Sequence, residues 1–235
     1  MSAAFQGSLL DVGGDAEPQP LKGSVRRTHL GSGAWLDVRP GWLGGADVLF
    51  ERLRDVVPWQ AERRRMYERV VDVPRLLCFY GEGDVLPDQA LSAAKASLDA
   101  YYRSELGEPF VTAGLCLYRD GRDSVAWHGD RIGRANTEDT MVAIVSVGAP
   151  RTLALRPRNG GPPANEDGGT PANKGVAGGG VAGGGGGRAL RFELGHGDLI
   201  VMGGSCQLTW EHAIPKTARA VGPRISIQFR TRGVR

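Results

Sequence analysis

The chain carries little that would tie it to a membrane, an oxidising compartment or a strongly charged partner. No apolar run approaches the eighteen or so residues of a membrane span. Its three cysteines, Cys78, Cys116 and Cys206, have neither metal-type nor redox-type spacing. An odd count without a signal peptide fits reduced thiols and a cytoplasmic location. The net charge is only +3, which permits nucleic-acid binding without demanding it, since a local patch matters more than the total. What is present is length: 235 residues can bury one sizeable core, as jelly rolls and barrels of this size do.

Residues 1 to about 24, rich in Gly, Pro and acids and without periodicity, read as a poorly ordered tail. Residues 26–43 look extended. The apolar positions Ala46, Leu49, Phe50, Leu53, Val56 and Val57 fall at helical spacing, and Pro58 ends the run. From Trp59 through Arg63-Arg64-Arg65 to Val73-Pro74-Arg75, proline and mixed polarity argue against a central strand. This stretch is expected to be loop-rich with short strands, its arginines by default a solvated face. Leu91, Ala94, Leu98 and Tyr101 mark a second helix from about Asp88 to Leu106. Strands are expected over residues 110–118, 124–130, 141–147, 152–156, 190–194, 198–202, 206–212 and 225–229. Residues 159–188 are dominated by glycine and can bury no apolar face, so they read as a disordered insertion between strands. A glycine-rich phosphate cradle is the alternative, but no Gly-Lys-Ser/Thr follows.

The stretch with most chemistry is Trp127-His128-Gly129-Asp130. Two residues apart on an extended segment, an imidazole and a carboxylate point to one side and supply two ligands for a divalent first-row metal. Core histidines explain most such pairs; a second histidine, His212, just before a strand-like run singles this one out. That run, Arg224-Ile225-Ser226-Ile227-Gln228-Phe229-Arg230, alternates apolar and polar residues. Arg224 and Arg230 share its polar face, about 20 Å apart at roughly 3.3 Å per residue, and could grip opposite ends of a small dicarboxylate. Two solvated arginines on an edge strand are the plain alternative. Many strands, with a metal pair early and a lone histidine late, fit a double-stranded β-helix, a jelly roll with a metal at its open end.

Together these residues resemble the AlkB-type Fe(II)/2-oxoglutarate dioxygenases. Tyr118-Arg119-Asp120-Gly121, Leu194-Gly195-His196-Gly197-Asp198-Leu199, Met202-Gly203-Gly204-Ser205, and Val73-Pro74-Arg75 followed by Tyr80-Gly81 agree in order. The resemblance runs from about residue 46 to the C-terminus. It implies a mainly β protein with flanking helices: a tail and edge segment (1–45), helices with a nucleotide-recognition flap (46–106), and a double-stranded β-helix catalytic core (107–235) interrupted by 159–188. His128, Asp130 and His212 would bind Fe(II). Arg224, with Tyr118 donating from a neighbouring strand, would take the distal carboxylate of 2-oxoglutarate, with Arg230 nearer the metal, and Cys116 and Ser226 also lining its site. Tyr80, Trp59, Arg75 and Arg64 would contact a nucleic-acid substrate, the aromatics by stacking on an extruded base. His196 would fix a turn by a hydrogen bond. The implied reaction consumes O2 and 2-oxoglutarate and removes N-methyl groups from bases in DNA or RNA as formaldehyde, in a monomeric protein.

The chain departs from the family at Cys116 and Ser226, where asparagines are usual, and at Ile132, where an acid is usual. Cys116 is a poor donor. Hydroxylation of RNA or protein, or a non-catalytic jelly-roll binding module, are the competing expectations.

Overall fold

A computed structural model describes residues 15–66, 69–130, 133–158 and 189–234. In chain order the strands are β1 (Glu17–Pro18), β2 (Arg26–Gly31), β3 (Ala34–Arg39), β4 (Leu43–Gly44), β5 (Gln60–Met66), β6 (Arg69–Tyr80), β7 (Thr112–Tyr118), β8 (Val125–His128), β9 (Val142–Gly148), β10 (Arg151–Pro157), β11 (Leu190–Leu194), β12 (Asp198–Gly203), β13 (Trp210–Ile214) and β14 (Arg224–Arg230). The helices are α1 (Ala46–Val56), α2 (Gln89–Leu106) and the single turn α3 (Cys206–Thr209). None is long and apolar enough to cross a membrane.

The strands form two main antiparallel sheets. The major sheet runs β2-β3-β12-β9-β14-β7-β6-β5 and the minor one β11-β10-β13-β8, with β1 and β4 a small pair apart. This is a jelly-roll sandwich, and it gives the major sheet two apolar faces. One face packs on α1 and α2 through residues such as Leu115, Ile227 and Phe229, against Leu53 and Leu98. The other packs on the minor sheet, with Ile144 and Met202 in one core with Leu155 and Trp210. Because side chains alternate along a strand, odd positions of β14 serve the helices and even positions face the minor sheet.

The helices follow their sequence signals. α1 buries the stripe Ala46, Leu49, Phe50 and Leu53. The Asp88 side chain caps α2 by accepting from the Ala90 N–H at 2.8 Å, and Gly107 closes it at φ +69°. The apolar stripe of α2 ends on Tyr102, not on Tyr101 as the spacing suggested: Tyr102 is buried, and Tyr101 faces solvent. At 3.6 residues per turn a step of four from Leu98 departs from the face by about 40° and a step of three by about 60°, so Tyr102 keeps closer to the stripe.

Three further expectations need correction. Residues 15–24 are no loose tail: Ala16 and Leu21 are buried in the helix-side core, and β1 pairs with β4; residues 1–14 lie outside the described residues. The stretch after Trp59 is no loop-rich segment but a long hairpin, β5 and β6, that extends the major sheet. Pro74 is tolerated inside β6 because it sits where the pairing with β5 slips between Ala61 and Arg63, so its missing N–H breaks no ladder bond. Residues 206–212 are not one strand. Gly204 at φ +61° turns the chain, the Ser205 carbonyl accepts from the N–H groups of Leu208 and Thr209 at 2.9 Å, and only from Trp210 is the chain extended.

The 159–188 insertion lies outside the described residues, but its flanks are informative. β10 and β11 pair in continuous register from Arg151↔Leu194 to Leu155↔Leu190, so the insertion joins the two arms of a hairpin.

Candidate active site

Cross-strand pairing brings the two distant histidines together. His128 ends β8 and is the register partner of His212 on β13, and their ring centroids are 4.2 Å apart. Asp130 follows just beyond β8, its Oδ1 3.6 Å from His128 Nε2. One ligand atom from each of His128, Asp130 and His212 lies within 4.8 Å of the other two, so metal bonds of about 2.0–2.2 Å need only small side-chain adjustments. His128 Nδ1 lies 2.8 Å from the Ala126 carbonyl. A carbonyl accepts only, so Nδ1 carries the proton and Nε2 is left to ligate.

The surroundings fix the charges of these groups. His212 is buried, and burial with His128 beside it pushes the imidazole down to about 3, leaving a neutral ring with a lone pair to offer. Burial also opposes the charge on Asp130. The Arg230 guanidinium and the two histidines outweigh it and hold the carboxyl well below the usual carboxylate range. Arg230 Nε donates to Asp130 Oδ2 at 2.7 Å, and the Asp130 N–H donates to Gln207 Oε1 at 2.9 Å.

The even positions of β14 carry the site away from the metal. Arg224 is 1% exposed and lies on a central strand, which excludes a solvated edge arginine. Its Nε donates to Ser146 Oγ at 2.7 Å. Its Nη1 and Nη2 are buried with no hydrogen-bond partner among the described residues, and Arg224 is one of the residues lining the cavity that contains the metal-type cluster. Tyr118, the register partner of Arg224, lies with its ring 5.3 Å from the guanidinium carbon. Burial pushes the Tyr118 phenol up to about 12, so it stays protonated and able to donate. Two buried donors left unanswered by the fold call for an acceptor, and a carboxylate matches their fork.

Of the other residues singled out by sequence, Cys116 and Ser226 are register partners on this same face. Arg75 also lines the cavity, its Nη1 donating to the Ser124 carbonyl at 3.2 Å, with Cys116 and Tyr118 beside it. Trp59 does not reach the cavity: its Nε1 donates to the Arg54 carbonyl at 3.2 Å and it packs against the helix-side core. Tyr80 packs with Cys78 against that same core and is also one of the residues lining the cavity. The backbone of Arg64 belongs to β5, opposite Val71; its side chain lies outside the described residues. His196 accepts at Nδ1 from the Gly148 N–H at 2.7 Å, joining two turns.

Sequence reasoning passed over Gln228. Its Nε2 donates to Ser226 Oγ at 3.1 Å and lies 3.4 Å from Cys116 Sγ, while its Oε1 accepts from Arg230 Nη2 at 2.9 Å. One carboxamide thus links the Cys116–Ser226 pair to the arginine that holds Asp130. The signal was available, because Gln228 has the parity of Arg224, Ser226 and Arg230. Gly114 makes room for this link: a Cβ there would sit 2.9 Å from Arg230 Nη1. Gln207, on the unforeseen turn α3, had no such signal.

A family model described as 2OG-Fe(II) oxygenase superfamily matches residues 80–230. The human alpha-ketoglutarate-dependent dioxygenase alkB homolog 3 is 29% identical over 196 residues, covering 79% of this chain and 61% of that protein. The Arabidopsis thaliana DNA oxidative demethylase ALKBH2 is 29% identical over 210 residues, covering 78% and 61%. The chain therefore spans about three fifths of the length of these relatives. Among solved structures, OsALKBH1 aligns with a TM-score of 0.52 at 11% identity, covering 88% of this chain and all of that one. A Trichoplax adhaerens prolyl hydroxylase, solved with a peptide fragment, aligns at 0.51 and 12%, covering 83% and 82%. Those two likenesses speak for the fold.

Fe(II), 2-oxoglutarate and O2 are the reactants of this family's chemistry, and the residues present fit them. Two imidazoles and one carboxylate are the donor types that would hold Fe(II) in a two-histidine, one-carboxylate site, and the guanidinium of Arg224 suits a dicarboxylate's far end. A family match over most of the chain, a jelly roll, and this donor set at its centre make the chain a member of the 2OG-Fe(II) oxygenase superfamily, similar within it to AlkB-type dioxygenases.

Proposed function

We propose that this protein is an Fe(II)/2-oxoglutarate-dependent oxidative demethylase of N-alkylated nucleobases in DNA or RNA, acting in the repair of alkylation damage. The observation that carries it is one cavity of about 1040 Å³ lined both by the His128–Asp130–His212 cluster and by Arg224, two of whose buried nitrogens have no partner among the described residues. A five-carbon dicarboxylate fills a small part of that volume, which leaves room for a second, larger substrate group. The names of the similar proteins, an alkB homologue and a DNA oxidative demethylase, favour a methylated base as that group.

In this reading His128, Asp130 and His212 hold the iron. Arg224 and Tyr118 bind the distal carboxylate, and Arg75, Cys116 and Ser226 line the same end. Arg230 and Gln207 orient Asp130, one by its charge and one through its backbone. When bound, iron and 2-oxoglutarate supply the oxidant: O2 is consumed, 2-oxoglutarate becomes succinate and CO2, and the N-methyl carbon is hydroxylated and leaves as formaldehyde. A base in a duplex cannot reach such a site, so it must be unstacked, at about a few kcal/mol that a damaged base reduces.

The test is to load the protein with Fe(II) and 2-oxoglutarate without oxygen, admit oxygen, and measure succinate and formaldehyde with N-methylated and unmethylated oligonucleotides. Methylated DNA or RNA should raise both products in equal amounts. Succinate without formaldehyde on every oligonucleotide, or stimulation by a peptide alone, would remove the nucleobase assignment.

A further inference from the structure

The outer face of the minor sheet carries a side-chain cluster that the reaction described above does not use. Arg156 on β10 and Glu211 on β13 are register partners, and Arg156 donates from Nε and Nη2 to Glu211 Oε2 at 2.9 and 2.7 Å. The same guanidinium lies over the ring of Trp127 on β8, its carbon 4.4 Å from the ring centroid. β13 runs between β10 and β8, so one side chain spans three strands. Glu211 and Trp127 are the residues immediately before His212 and His128. Side chains alternate along a strand, so the cluster lies outside the sheet at the level where the two histidines stand inside it.

β8 needs such support. It has four residues, forms the edge of its sheet and, among the described residues, pairs with β13 alone. Its ladder is also irregular: His128 is opposite His212 and Val125 opposite Ile214, so β8 takes three steps where β13 takes two. An extra residue of this kind is a β-bulge, which re-aims the side chains around it. Without it, Val125 and His128 would face opposite sides of the sheet. With it, Val125 packs on the core between the sheets, and His128 stands beside His212 with ring centroids 4.2 Å apart. Trp127 lies in the irregular stretch, where ladder hydrogen bonds guide the chain least.

We propose that Arg156 is a positioning residue for the metal site: it ties Trp127 to Glu211 from outside the sheet and so fixes the bulge that brings His128 up to His212. This rests on the reading of His128, Asp130 and His212 as metal ligands. An arginine suits the task better than a lysine, because a planar guanidinium lies on an indole face while its edge donates to a carboxylate. A partly exposed ion pair and a surface cation–π contact add little to the stability of the whole fold. Their effect is local. They narrow the positions open to His128, on an edge strand, and leave His212, on an interior strand, where it is.

The full metal-free chain is titrated with Co(II), whose visible absorption reports the ligands around it. Arg156→Met, which keeps the length of the stem, should weaken Co(II) binding about tenfold, the low end of what groups supporting metal ligands contribute, and should alter the absorption of the bound ion. Trp127→Leu should do the same, and the double variant should bind no worse than either single one, because each removes the same clamp. Trp127→Phe, which keeps an aromatic face, should recover most of the affinity, and Arg156→Lys little of it. The melting temperatures of the metal-free variants should move by no more than about 4 °C. Wild-type Co(II) affinity and absorption in Arg156→Met, losses that add in the double variant, or a loss of affinity accompanied by a larger fall in melting temperature would overturn the clamp alone. A wild-type protein that binds no Co(II), or binds it equally well after His128→Ala, would overturn the metal reading, and the clamp with it.

Discussion

Arg230 reaches across the site to Asp130, its Nε 2.7 Å from Oδ2, and with both side chains largely buried the pair is a fixed part of the metal-type cluster. Arg230→Met would leave the carboxylate buried without its cation. Breaking a buried pair from one side costs about 3–5 kcal/mol, and urea denaturation of the metal-free protein should read a loss of that order. A bound divalent ion replaces the missing positive charge, so Mn(II) should recover part of the loss. Asp130→Asn in the Arg230→Met background should recover part of it without metal.

Arg224 behaves differently. Its guanidinium is buried with two nitrogens unanswered, a cost the free protein bears. Arg224→Met should leave the melting temperature of the free protein unchanged or raise it. The same substitution should weaken 2-oxoglutarate binding by at least about a hundredfold, since two charge-assisted hydrogen bonds contribute about 1.5–3 kcal/mol each. Calorimetric titration and a thermal melt on one sample check both halves.

Gln228→Leu keeps the volume and removes the carboxamide. Arg230 Nη2 then loses an acceptor and Ser226 a donor. We expect a stability loss of about 1–3 kcal/mol for the buried group left unsatisfied and weaker Fe(II) binding as Arg230 loosens on Asp130. Gln228→Glu, which keeps the acceptor for Arg230, should bind metal better than Gln228→Leu.

A control lies far from the site. The Tyr102 hydroxyl donates to Asp37 Oδ2 at 2.9 Å, and Arg27 grips both oxygens of Asp37 at 2.8 Å. Tyr102→Phe should cost about 1.5–3 kcal/mol and leave turnover alone. Burial and Asp37 raise the Tyr102 phenol above its usual range. Its contribution is therefore full below about pH 10 and falls above it, where the unfolded chain releases the proton and the folded one retains it. Stability measured from pH 8 to 11 should decline less steeply in Tyr102→Phe.

Because Leu155 and Leu190 are cross-strand partners, a short Gly/Ser bridge in place of most of residues 159–188 spans the same ends. Closure depends weakly on length, about 0.6 kcal/mol per doubling, so the shortened protein should unfold cooperatively and bind 2-oxoglutarate as before. Loss of the cooperative transition would show that the removed stretch packs on the sandwich.

What the sequence determined was local or alternating: the apolar stripes of α1 and α2, the parity of β14 that puts Arg224, Ser226 and Arg230 on one face, and the donor types at His128, Asp130 and His212. These follow from chain geometry, which repeats every two or 3.6 residues whatever the rest of the protein does. Register, the bulge at Pro74 and the turn at Gly204 do not repeat. They depend on strands that meet from distant parts of the chain. A shift of one residue exchanges the two faces of a strand, so only the pairing of β6 with β7 decided that Cys78 and Tyr80 lie on the helix side of the sheet. Burial likewise belongs to the folded whole. The same alternating run would have left Arg224 solvated on an edge strand, and it is the placing of β14 between β9 and β7 that buries the guanidinium and leaves two of its nitrogens to be answered by a ligand.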